Sequence, residues 1–128
     1  MPDIRRQVPE GHGPRTHPPD LSEGVIAGGF IHLAVVRGRG DTTEAQARSA
    51  FESIKDLLGR CGGTLDHVVK VTVYFQDLQY RAGFGKVWAE YFGTTNPPAR
   101  TAIQVANASP MPGGPFHFAL DVLAVEPR

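Results

Sequence analysis

Residues 43–76 read TEAQARSAFESIKDLLGRCGGTLDHVVKVTVYFQ, and two different periods meet inside this stretch. Up to Arg60, the residues Ala47, Ala50, Phe51, Ile54, Leu57 and Leu58 recur at three- and four-residue spacing, which makes one apolar stripe along a helix. Asp41, Thr42 or Thr43 supplies the N-cap, and Glu44 lies near the positive end of the helix dipole. Gly62-Gly63 stop the helix behind Cys61. From His67 to Gln76 the composition turns to Val, Thr, Tyr and Phe, which marks a strand. A one-sided helix leading into a strand predicts a helix layer on a sheet.

Working outward, Val25-Ile26-Ala27 is a short apolar run followed by Gly28-Gly29, the composition of a tight hairpin turn. Phe30 to Val36 resumes as a strand with Ile31, Leu33 and Val35 on one face, and Arg37-Gly38-Arg39-Gly40 ends it. After the central strand, Asp77 caps a second helix running to Phe92, with Tyr80, Phe84, Val87, Trp88, Tyr91 and Phe92 on its buried side. Gly83 and Gly85 are poor helix residues and mark a close approach there. Asn96-Pro97-Pro98 breaks the chain before a strand over 100–105, and a loop of Pro110, Pro112, Gly113, Gly114 and Pro115 precedes a last strand over 116–125. The first 20 residues, interrupted by five prolines, read as an extended arm, with structure beginning near Gly24.

The element order is therefore ββαβαββ, an α+β domain over 21–128 with a mixed sheet and both helices on one face. Apolar residues such as Val68, Leu123 and Val125 are left for the other face, which an oligomer stacking its sheets would cover.

With 128 residues the chain makes one domain, and 41% hydrophobic residues are enough for a core. Thirteen basic and thirteen acidic side chains cancel, with no basic cluster, which argues against a nucleic-acid partner. No apolar run spans a bilayer, no secretory leader is visible, and Cys61 is the lone cysteine; these features fit a cytoplasmic protein. The five histidines have no metal-ligand spacing, so neither a metal nor another cofactor is expected. Cys61 reads as a packing residue rather than a nucleophile, His32 as a structural histidine, Trp88 as core, and His12 and His17 as parts of a mobile arm.

Three stretches carry a family resemblance: Leu65 to Tyr74 followed by Asp77-Leu78, then Trp88-Ala89-Glu90-Tyr91-Phe92, then Pro98-Ala99-Arg100-Thr101. In order and spacing they resemble the Rid (YjgF-like) family of reactive imine and enamine deaminases, across roughly residues 21–126. The resemblance implies a chorismate-mutase-like fold, a homotrimer, and a cleft between subunits in which Arg100 holds a substrate carboxylate. A guanidinium offers a planar fork suited to that task. The expected partner is a small-molecule carboxylate.

The chain departs from the family pattern at four positions. Ala119 stands where the family has the glutamate that activates water, Leu21 replaces a tyrosine, Ala34 a serine and Gly85 an asparagine. Together with Arg100 these line a roomier and less polar pocket, suited to a larger acid with an apolar body. Strand alternation puts His117, Ala119 and Asp121 on one face, making His117 and Asp121 the candidate groups to act on water. Three readings follow: hydrolytic deamination, a binding or regulatory trimer without catalysis, and a pathway-dedicated enzyme acting on a larger substrate.

Overall fold

The computed structural model describes residues 3–6, 17, 20–108 and 114–127. Three strands come first, β1 (Ile4–Arg6), β2 (Gly24–Ala27) and β3 (Phe30–Leu33), followed by α1 (Thr43–Arg60) and β4 (Val68–Phe75). Then come α2 (Arg81–Phe92), β5 (Ala99–Gln104) and β6 (Phe118–Val125). One six-stranded sheet has the order β1-β2-β3-β6-β4-β5. β4 and β5 pair in parallel, and the other described pairings are antiparallel. This is the expected α+β architecture, with both helices on one face.

Local chemistry places the elements. The Thr42 hydroxyl accepts from Ala45 N at 3.0 Å and caps α1. Gly28 and Gly29, at φ 63° and 81°, make the β2–β3 turn in a region that residues with a Cβ avoid. Along β4, Val71, Val73 and Phe75 point inward, and Phe118, Leu120, Val122 and Ala124 do so along β6. These meet Ala47, Phe51, Ile54 and Leu58 of α1 and Phe84, Val87 and Trp88 of α2. The Phe51 ring is the hub, 5.0 to 6.2 Å from the rings of Phe84, Trp88, Tyr91 and Phe92.

Several expectations need correction. Structure begins before Gly24: Ile4–Arg6 pairs with β2, and three exposed residues leave no periodic signal in a sequence. The rest of the expected arm is outside the described residues except Asp3, His17 and Asp20, as are Pro110, Pro112 and Gly113 of the expected loop. β3 ends at Leu33, and Val36 rather than Val35 turns inward, through an isolated bridge to Leu120. His67 ends a 3-10 turn, Leu65–His67, held by a Thr64 capping box, so β4 starts one residue later. Val68 faces the helices, not outward, because an irregularity between Val68 and Lys70 shifts the parity and leaves Val69 exposed instead. Asp77 caps a short 3-10 turn, Leu78–Tyr80, from which α2 continues. Of the two helix glycines, Gly83 is the close approach: an added Cβ would lie 3.3 Å from the Thr43 Cβ, whereas one at Gly85 meets nothing within 4 Å. Gly38 is tighter still, since a Cβ there would fall 1.7 Å from the Gln46 carbonyl oxygen of α1.

Candidate functional site

Arg100 is the second residue of β5, an edge strand hydrogen-bonded only to β4 among the described residues. It pairs with Val71, an inward position, so its side chain rises on the helix side of the sheet. There its guanidinium carbon sits 4.7 Å from the ring centroid of Trp88. The indole is 7% exposed and belongs to the core, while Arg100 is exposed. No described carboxylate forms an ion pair with Arg100. Its fork of N–H donors is therefore available to an outside anion. Gly85 lies one turn before Trp88 on α2, with open space where a side chain would start.

The segments that carry Leu21, Ala34 and Ala119 neighbour one another through backbone hydrogen bonds. Ala34 N donates to Glu23 O at 3.0 Å, two residues from Leu21, which is 38% exposed. Val36 and Leu120 exchange backbone hydrogen bonds of 2.8 and 2.9 Å, which brings the same segment alongside Ala119. Ala119 pairs with Tyr74, which pairs with Ile103, so it points to the face away from the helices. Arg100 lies in the Val71–Val122 row of the opposite face, three residues or about 10 Å along the strand. Within one subunit the sheet thus separates Arg100 from Ala119.

The alternation that was to place His117 with Ala119 and Asp121 stops at Phe118, where β6 begins. His117 turns instead toward the starts of the two helices. Its Nδ1 lies 2.7 Å from the Thr43 hydroxyl, and its ring stacks on Tyr80 at 3.9 Å with the planes 7° apart. Partial burial lowers its pKa below the ordinary 6.5, which favours the neutral imidazole. Asp121 is exposed, on the same face as Ala119 and opposite Thr72.

One polar cluster was not legible in the sequence. Glu23, 4% exposed, receives Arg60 Nη1 at 3.3 Å and contacts His17 Nδ1 at 2.8 Å. Arg60 also pairs with Asp56 at 2.8 Å, and His17 Nε2 lies 2.6 Å from the Val35 carbonyl. His17 is therefore docked, contrary to the mobile-arm reading. The one signal for it in the sequence, the one-turn spacing of Asp56 and Arg60, was not taken up. Cys61 is buried as expected, and that burial pushes its thiol pKa up.

Two cavities are described. One of about 280 Å³ is lined by Arg39, Asp41, Gln46 and His117 among others, and one of about 560 Å³ by Phe30, His67 and Glu126 among others. Neither includes Arg100. No described helix is long and apolar enough to cross a membrane.

Comparison with known proteins gives the family. The protein-family model described as Endoribonuclease L-PSP matches residues 20–116. A RutC family protein of Pyrococcus abyssi is 35% identical over 103 residues, covering 78% of this chain and 80% of the relative. A solved member of the YjgF/YER057c/UK114 family from Mycobacterium tuberculosis is 30% identical with a TM-score of 0.75, covering 84% of this chain and 87% of that one. A YjgF-family structure from Neisseria meningitidis superposes with a TM-score of 0.82 over 98% of this chain and 97% of that one, at 24% identity, which is evidence of shared fold. With the α+β architecture and the Pro98-Ala99-Arg100 segment in their expected places, the chain belongs to the YjgF/Rid family.

Proposed function

We propose that the protein hydrolyses imine or enamine intermediates of the 2-imino-acid kind to the ketone and ammonia, with Arg100 holding the substrate carboxylate. The observation that carries this reading is a guanidinium exposed beside Trp88 with no described carboxylate paired to it. A bidentate pair with an incoming carboxylate fits such a group.

The two separated clusters favour a cleft completed by a second copy. Phe30 is 39% exposed and Ile103 43%, both on the face turned from the helices, alongside Leu123 and Val125. An apolar face of this kind supports a homotrimer in which Leu21, Ala34 and Ala119 of one copy meet Arg100 and Gly85 of another. With Ala119 in the glutamate's place, Asp121 is the group assigned to orient water; His117 is turned away from that face. The space at Gly85 suits an acid with an apolar body. A cytoplasmic setting is consistent with one buried cysteine. The RNA cleavage suggested by the description of the family model finds no support in a net charge of zero.

The test is ammonia release from imines generated in situ by an amino-acid oxidase. Wild type accelerates release, and Arg100→Ala loses at least about tenfold of that acceleration, the usual scale for losing a charged hydrogen bond. Equal release by the two proteins removes Arg100 from the reaction. Saturable binding of a 2-oxo acid with no acceleration of imine decay supports the second reading, a binding module, which the apolar Ala119 favours.

A further inference from the structure

The core residue under Arg100 deserves a role of its own. Trp88 is locked in place on several sides: its ring is 6.2 Å from Phe51, 6.0 Å from Phe84 and 4.5 Å from Phe92. Arg100, by contrast, has a long stem on an edge strand, and no described acid fixes its head. Left alone, such a side chain samples many rotamers, and ordering it on ligand capture costs free energy. The indole face 4.7 Å from its guanidinium carbon supplies the missing restraint, since an aromatic face attracts a cation without consuming its N–H donors.

We propose that Trp88 is a positioning residue: it preorganises the Arg100 guanidinium, closing one side of it and leaving the donor fork for a planar carboxylate. This rests on the acid-binding reading of Arg100 and adds that the affinity for the acid is set partly by a residue that never touches it. It also explains why arginine suits this position better than lysine. An ammonium over the same indole would offer a point charge with no fork, and one of its donors would be turned to the ring.

The chain has a single tryptophan, so tryptophan emission reports on the surroundings of Trp88, the Arg100 contact among them. The probe is 4-methyl-2-oxopentanoate, a 2-oxo acid with an apolar body, titrated into the full-length protein and followed by tryptophan emission and by calorimetry. In wild type both signals saturate with one dissociation constant, and Arg100→Ala abolishes both. By calorimetry, Trp88→Phe, which keeps a ring and most of the packing, binds about threefold more weakly. Trp88→Leu binds about tenfold more weakly; these losses are within the range of a cation–π contact. Circular dichroism confirms that each variant is folded, and in the imine assay the Trp88 changes raise KM while kcat stays within about twofold.

Unchanged affinity in folded Trp88→Leu, with Arg100→Ala still defective, overturns the positioning role and leaves the Arg100 reading intact. Absence of any acid binding by wild type sinks both.

Discussion

His117 illustrates how a residue's chemistry depends on neighbours that are distant in sequence. Thr43 holds its Nδ1 and Tyr80 covers its ring, and the resulting burial depresses its pKa. The unfolded chain then takes up a proton at higher pH than the folded one. The stability from keeping this ring neutral is complete above the ordinary value of 6.5 and is lost as pH falls below it toward the depressed folded value. An imidazole titration by NMR should place the His117 midpoint below 6.5, and a midpoint above it would contradict the burial seen here. The sequence exposed His117 only as one position in an alternating strand. Arg100 was singled out by a local motif, Pro98-Ala99-Arg100. Its contact with Trp88 was not, because the two stand twelve positions apart across a turn and no period links α2 to the edge of the sheet.

At the scale of elements, the two helices are held to each other and to the sheet mainly by aromatic packing. Phe51 is fully buried and touches four rings of α2. Phe51→Ala should cost about 3–5 kcal/mol in urea unfolding, the transfer and cavity loss for a buried phenylalanine. A loss under about 1 kcal/mol would mean that the neighbouring rings collapse into the space. Polar straps across the same helix pair, Arg48 to Glu90 at 2.8 Å and Tyr91 to Glu52 at 2.7 Å, lie at the surface. The latter bond pushes the Tyr91 pKa up to about 12. Exposed contacts of this kind contribute about 1 kcal/mol or less. Element identity was legible from periodicity, and α1 has the predicted ends. The parity of β4 was not, because the irregularity between Val68 and Lys70 has no composition signal and reverses which valine is buried.

For the whole molecule, the sheet has one face under two helices and the other open. On the open face, Ile103 is 43% exposed at the edge strand, so replacing it costs the subunit core little. In the proposed trimer, Ile103→Asp puts a charge into an apolar contact between copies. Sedimentation should show a folded species lighter than wild type, with acid binding lost along with the cleft. An Ile103→Asp protein that sediments as wild type and still binds would remove this face from the assembly.

Local order in the chain determined the elements, their succession and the layer they build, because helix and strand periods, caps and glycine turns act over a few residues. It also singled out Arg100 and the four positions expected to have lost polar pocket groups. Only the folded chain decided which of these share a face: β4 stands between β5 and β6, and that pairing sends Arg100 and Ala119 to opposite sides. It also decided that a core tryptophan lies beneath the arginine. The reason is that pairing register and helix placement are set by contacts between distant segments, which leave no repeating pattern along the sequence.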